Sequence, residues 1–332
     1  MAACTSGITN AAKVVQLILR DPRTREDLVV LDVLPHAALG SAGFQGITLG
    51  ENMSGLYRVP IDQPLKSAAY QEGATPSQYP RKKERRPKVT LHAQASTPEA
   101  YAQVETLLWT VLSVKWDCYL RSFEPDGTWR ELKVRLLNEP DDQVRRYHGS
   151  ITYSEWQCEL LACDPFWYGP PYEKRFTRAD MTAVNGGWEI DVPITNPTDQ
   201  LGFIEWNSGE LTTTETWSFQ DGELTLDNGG PAMIPLPPLA PPVTAAFWVQ
   251  TYPTEMQLFV RRSDGGEPSQ QWARMRSRTF TKAIAANTPH ERPIRARLVG
   301  GTPASEMLLT IPRRWDRPFG GELPLAAQMV SA

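Results

Sequence analysis

Beyond Pro171 the chain is cut repeatedly by turn-forming clusters: Asn185-Gly186-Gly187, Asp221-Gly222, Asn228-Gly229-Gly230 and Asp264-Gly265-Gly266. Between them lie short runs in which apolar and polar residues alternate: WEIDVPITN, GFIEW, ETWSFQ, ELTLDN, AAFWVQTYP, MQLFVRRS, IRARLVG and EMLLTIP. Gly and Asn supply the positive φ of tight reversals. Period-two alternation turns one face of each run toward a core. A chain so interrupted has little room for helices and predicts an antiparallel β-sandwich or jelly roll. The segment IPLPPLAPP, Ile234 to Pro242, is read as a stiff crossover between sheets.

The first half mixes two periodicities. Val14 to Leu19 and Leu28 to Val33 read as strands around the break at Asp21-Pro22. A Gly-punctuated stretch of bends and short strands follows, and Ser67 to Pro87 read as a long loop containing Pro76, Pro80 and Pro87. Val89 to Gln94 alternate as a strand, with Val89, Leu91 and Ala93 on one face. Thr97-Pro98-Glu99-Ala100 marks a helix start: a hydroxyl cap, Pro where its missing N–H is harmless, and acid in the first turn. Tyr101, Val104, Leu107, Leu108 and Val111 continue at helical spacing and predict a buried stripe. WDCYLRSF and TWRELKVRLLNEP flank Glu124-Pro125-Asp126-Gly127 as a hairpin. SITYSEWQCELLA is a further strand, with Ile151, Tyr153, Glu155 and Gln157 on one side.

That strand runs into CDPFWYGPPY, Cys163 to Tyr172. Three roles suit so much ring surface beside a chain break: the end of a core strand at a domain boundary, a sugar-stacking platform, or an anchor for another subunit. Asp164-Pro165 is expected to end the strand, because the residue before Pro avoids the helical region and Pro cannot donate to a ladder. Phe166, Trp167 and Tyr168 would then close the base of the first domain or wedge it against the second, and Gly169-Pro170-Pro171 would redirect the chain. A second cluster, RKKERRPK, gathers Arg81, Lys82, Lys83, Arg85, Arg86 and Lys88 around Glu84. It reads as a nucleic-acid patch, a solvated loop or a partner for acidic loops of a neighbouring subunit. It lacks the interleaved aromatics that base stacking needs.

Length and composition narrow the function. The 332 residues are comfortable for two cores, and 41% hydrophobic with 22% charged residues is a globular composition. A net charge of -4 gives no general attraction to nucleic acid or to an anionic membrane. No apolar run has the length of a membrane helix, so membrane insertion is not expected. MAACTSGITN lacks the charged and apolar regions of a secretion signal. Cys4, Cys118, Cys158 and Cys163 are too scattered for a disulfide framework and are expected as reduced thiols of a protein folded in a cytoplasm. No nucleophile elbow, metal-binding helix or phosphate loop is present, and His36, His92, His148 and His290 have no metal-ligand spacing. No enzyme activity, cofactor or metal is therefore expected. A glycosidase would need a carboxylate pair, for which Glu205 and Glu210 beside Trp206 are the candidates. A carbohydrate-binding module would need exposed rings, with Trp206, Trp217, Trp248 and Trp272 as candidates, although their alternation with polar residues marks most as inward.

Five stretches in order, ERRPKVTLHA, the helix from Thr97, the hairpin ending RLLNEPDD, LLACDPFWYG and ITNPTDQLGFIEW, carry a resemblance from about residue 28 to 318. The chain resembles the distal tail proteins of long, non-contractile-tailed bacteriophages (siphophages), particularly minor tail proteins of phages of actinobacteria. The resemblance implies a β-rich fold. Residues 28–165 would form an α+β, tail-tube-like belt domain, a split β-sandwich or barrel with one helix. Residues 166–175 would be a hinge anchored by Asp164, Pro165, Phe166, Trp167, Tyr168 and Gly169. Residues 176–315 would form a galectin-like antiparallel sandwich, leaving 1–27 as an N-terminal extension and 316–332 as a C-terminal tail.

The same resemblance implies a structural virion protein at the tail tip, assembled in the host cytoplasm as a hexameric ring. The ring would join the tail tube protein to the hub and tip proteins and the receptor-binding apparatus. The tape-measure protein and then DNA would pass its channel without specific binding, and the sandwich would contact host-surface glycans weakly at most. On this reading the basic run, Arg81 to Lys88, is expected on an inter-subunit or inter-ring loop.

Overall fold

The computed structural model describes residues 15–41, 43–51, 53–67, 70, 72–77, 81–123, 127–140, 150–225, 229–241 and 243–320. The chain divides into two compact units. The first takes in residues up to Gly169 and then Trp315–Gly320, and the second is Pro170–Arg314. The chain therefore leaves the first unit at Gly169 and comes back to it at Trp315. Cys4, His148, Asn228 and the turn residues Glu124, Pro125 and Asp126 lie outside the described residues.

The first unit opens with β1 (Val15–Arg20), β2 (Asp27–Leu34) and β3 (Gly46–Leu49). Four two-residue strands follow: β4 (Ile61–Asp62), β5 (Leu65–Lys66), β6 (Thr75–Pro76) and β7 (Arg81–Lys82). Then come β8 (Lys88–Gln94), α1 (Pro98–Val111), β9 (Cys118–Phe123), β10 (Trp129–Leu136), β11 (Tyr153–Leu161) and β12 (Trp167–Tyr168). Seven strands close into a barrel in the order β11-β8-β3-β2-β1-β9-β10, with β10 pairing back to β11 through Arg135↔Leu161 and Leu136↔Leu160. Neighbours in the barrel are antiparallel except β2 and β3. Closure satisfies ladder groups that an open sheet would leave at its edges.

For Val15–Arg20, β1 corrects the reading of residues 1–27 as an extension. It sits between β2 and β9, and Val15, Gln16, Leu17 and Ile18 are all buried. A near-continuous apolar run, VQLIL, suits a strand covered on both faces. β8 is buried on both faces too: Thr90 and His92 are as enclosed as Val89, Leu91 and Ala93. On β11 the outward residues are Tyr153, Glu155 and Gln157, while Trp156, Cys158 and Leu160 enter the core. Ile151 precedes the strand and is buried.

α1 begins where the sequence predicts. Thr97 is in an extended conformation and its hydroxyl accepts the Ala100 N–H at 3.2 Å. Tyr101, Leu108 and Val111 are buried. Leu107 departs from the expected stripe and is 42% exposed. The stretch Ser67 to Pro87, read from sequence as a loop, belongs to an arm that doubles back on itself. β4 pairs with β7 and β5 with β6, two rungs each. Prolines explain the short ladders, since Pro64 separates β4 from β5 and Pro76 brings no N–H to its own strand.

The second unit has two antiparallel sheets. Its strands are β13 (Tyr172–Thr177), β14 (Thr182–Val184), β15 (Gly187–Asn196), β16 (Glu205–Ser208), β17 (Glu215–Thr225) and β18 (Pro231–Pro235). They are followed by β19 (Thr244–Gln250), β20 (Leu258–Arg262), β21 (Ser269–Gln270), β22 (Thr288–Gly300) and β23 (Glu306–Ile311). The sheet orders are β13-β23-β16-β19-β20-β21 and β14-β15-β22-β17-β18. Residues of both sheets share one core, and Trp206 of β16 stacks on Phe219 of β17 at 4.2 Å between centroids. The ITNPTDQ segment is fixed by a buried amide. Asn196 Nδ2 donates to the carbonyls of Gln200 and Ala285, each at 2.9 Å, and the Thr198 hydroxyl donates to Asn196 Oδ1 at 2.8 Å. A last short strand, β24 (Arg314–Trp315), adjoins β12 in the sheet of the first unit.

Candidate functional site: the aromatic corner and the basic arm

The aromatic cluster folds into the first unit. Trp167 is 1% exposed, lies in the core with Trp315, and donates its indole N–H to the Leu56 carbonyl at 3.1 Å. Asp164 organises the turn before it: Oδ1 accepts the Phe166 N–H at 3.3 Å and Oδ2 accepts the Tyr168 hydroxyl at 2.6 Å. Tyr168 pairs with Glu131 of β10. Gly169 packs so closely that a Cβ there would lie 2.7 Å from the Trp315 ring, a contact real side chains do not make. Asp164, Phe166, Trp167, Tyr168 and Gly169 thus form one packed corner, with Trp167 unavailable to a sugar.

The basic run separates into different roles, and Arg85 corrects the reading of the run as one exposed loop. Arg85 is fully buried. Its guanidinium donates to the Leu56 carbonyl at 2.7 Å, to the Gly55 carbonyl at 3.4 Å, and to the carbonyls of Pro165 and Asp316. Its own backbone exchanges two hydrogen bonds with Ala162. The planar five-donor fork can serve several main-chain acceptors at once, which an ammonium cannot do in the same geometry. Arg81, Lys82, Lys83, Arg86 and Lys88 stay exposed. Lys82 meets Asp316 at 2.8 Å and lies 4.8 Å from the Phe166 ring centroid; Lys83 meets Asp62 at 3.3 Å, and Arg86 meets Glu84 at 3.1 Å.

Arg85 and Lys82 lead to the residues that sequence reasoning missed. Trp315, expected as the last residue of the sandwich, and residues 316–320, expected as part of the C-terminal tail, form a clasp on the first unit. Trp315 is 3% exposed and the Arg130 guanidinium lies 4.2 Å from its ring centroid. Arg130 also donates to the carbonyls of Arg317 at 3.1 Å and Gly320 at 2.7 Å. Phe319 packs edge-on against Tyr57 at 5.4 Å. The available signal was the pair of aromatics in RRWDRPFGG, since a solvated tail has little reason to carry them.

Among the described residues the other candidates do not assemble into a chemical site. Trp206 and Trp217 are buried in the second core, Trp248 stacks on Phe259 at 5.2 Å, and Trp272 is 46% exposed in a single helical turn. Glu210 pairs with Arg261 at 2.9 Å. Among the described residues no group of His, Cys, Asp and Glu could hold a metal ion. Burial pushes the Cys118 and Cys158 thiols up to about 12, whereas Cys163 is exposed. Because the thiolate is the reactive form, a native chain with Cys4 replaced by Ser should take up one equivalent of maleimide, at Cys163. Modification of Cys118 or Cys158 before denaturation, read by peptide mass, would contradict the burial.

No protein-family model matches the sequence, and no curated protein matches it. Solved structures do match the fold. The Dit protein (gp 19.1) of phage SPP1, described as a paradigm of the hub adsorption apparatus of phages infecting Gram-positive bacteria, is similar with a TM-score of 0.51 at 13% identity, over 91% of this chain and 99% of that one. A chain of the phage P2 baseplate in its activated conformation with Ca gives a TM-score of 0.51 at 10% identity, over 92% and 99%. At such identities the likeness is one of fold: the chain shares the fold of the SPP1 Dit protein and of that baseplate chain.

Proposed function

We propose that this chain is a structural protein of a phage tail hub, a distal tail protein of a siphophage that assembles as a ring, six copies by analogy with the family it resembles. The observation that carries this reading is the extent of the fold likeness. It runs through both units, 91% of this chain and 99% of the SPP1 Dit protein, so the combination of barrel unit and sandwich unit on one chain is shared and not just a common β-fold. In this reading the barrel unit builds the ring and the sandwich, galectin-like as the sequence resemblance implies, is its appendage. The ring joins the tail tube to hub and tip proteins. A net charge of -4 suits a conduit through which DNA must pass without sticking. Positioning and binding do the work, and no catalysis is involved.

The test has two parts. Light scattering and negative-stain images of the purified chain should give a closed ring with a mass six times that of the monomer. Gold-labelled antibody should mark one end of the tail in particles of a phage that encodes the chain. Label confined to the capsid, or absent from intact particles, would overturn the proposal.

A further inference from the structure

Two apolar features of the first unit are left facing outward. One is a groove beside the C-terminal half of α1. Trp109, Trp116 and Trp156 line it with Leu112, Val114 and Leu136, enclosing about 470 Å³. An adjoining hollow of about 500 Å³ shares Trp109 and Trp116 and adds Glu105. Trp109 meets Trp156 edge-on at 5.0 Å, which gives the groove a rigid floor. Trp116 is 43% exposed and Leu107 and Val114 are similarly open. The groove has Glu139 on its lining together with Lys115, and α1 carries Glu99 and Glu105 with no cation.

The other feature is the arm from β4 to β7. Among the described residues its short strands pair with one another, and Ile61 and Leu65 are 61% and 65% exposed. Lys66 and Arg81 flank them on exposed positions, Arg81 opposite Asp62 and Lys66 opposite Thr75. No described residue of the arm lines the groove of its own chain.

A ring of identical subunits needs two different, complementary surfaces on each copy. The seven barrel strands pair with one another in a closed circuit, so the groove and the arm offer contact through side chains. Groove and arm satisfy this need: apolar with an acidic margin on one, apolar with a basic margin on the other. We propose that Ile61 and Leu65 of one copy dock into the Trp109–Trp116–Trp156 groove of the next, with Lys66 and Arg81 facing Glu105 and Glu139. This inference rests on the hub reading above and names its subunit interface.

Disulfide trapping between copies tests it. In full-length chains with Cys4 and Cys163 replaced by Ser, one isotopically heavy population carries Leu65→Cys and a light one carries Trp116→Cys. Mixed and oxidised, they should give a heavy–light dimer joined at 65 and 116, since bridging needs the two Cα atoms within about 7 Å. Arg81→Glu should lower the yield, and adding Glu105→Lys should restore it. Independently, Trp116→Ser, at a position 43% exposed and with folding checked by circular dichroism, should weaken self-association about thirtyfold by light scattering, as loss of an interface anchor does. Self-association unchanged in Trp116→Ser, or a monomeric chain whose groove instead binds an oligosaccharide probe, overturns the docking. A monomeric chain would also count against ring assembly by the chain alone, whereas its place in the tail falls only if the antibody finds no chain at the tail end.

Discussion

Arg85→Ala is expected to lower the stability of the first unit by at least about 3 kcal/mol, the scale on which buried polar networks fail when one member is removed. The guanidinium draws four carbonyls together, those of Gly55, Leu56, Pro165 and Asp316. They come from three separate segments, so a truncated side chain leaves acceptors that cannot all find another donor without moving apart. Arg85→Lys should recover only part of the loss, because three donors on one nitrogen cannot reproduce a planar fork. Arg81→Ala, on the exposed arm, should change stability by no more than about 0.5 kcal/mol. Denaturant midpoints followed by tryptophan fluorescence would check all three. If Arg85→Ala and Arg81→Ala unfolded alike, the buried position of Arg85 would be wrong. Salt makes the same distinction. Screening acts on exposed pairs such as Lys83–Asp62 and barely on a buried hydrogen-bonded cation, so the Arg85→Ala loss should persist at high ionic strength.

Replacing Trp315 by Ala should cost about 3–5 kcal/mol, as removal of a fully buried aromatic does. Trp167→Ala should cost a similar amount. The two rings lie on the adjacent strands β12 and β24 and share one core, so the double variant should lose less than the sum of the singles. A chain ending at Arg314 loses the Trp315 ring, its stack with Arg130, and the acceptors that residues 316–320 offer to Arg85 and Arg130. Its first unit should therefore unfold well before that of the full chain. The second unit lies within Pro170–Arg314 and has its own core, so its transition should not move. Pulsed hydrogen exchange read by mass spectrometry separates the two. Equal protection of β1 and β9 in the truncated and full-length chains would show that the clasp contributes little.

Much of the fold could be read locally. α1 was legible because Thr97, Pro98 and Glu99 carry their signal within one turn, and the strands of the second unit because alternation and Gly-containing turns are short-range features. Leu107 was misread because helical spacing gives a face without saying which rim of that face a neighbour covers. Arg85 was misread for a related reason. In sequence it is one cation among six, and only its packing against Leu56, Pro165 and Asp316, far apart along the chain, sets it apart. The place of β1 in the barrel and of Trp315 in the first core was not legible, because no local pattern tells which distant strand a segment will join.

The sequence by itself determined the β-rich class, the single strong helix, the break at CDPFWYGPPY and the absence of catalytic motifs, since propensity, periodicity and turn chemistry act over a few residues. The tertiary structure alone decided that seven strands close into a barrel, that one arginine of a basic run is core, and that the chain comes back to its first unit after leaving the second. Those outcomes depend on hydrogen bonds and packing between residues tens to hundreds of positions apart, where solvent exclusion and donor geometry, and not residue type, select the partner.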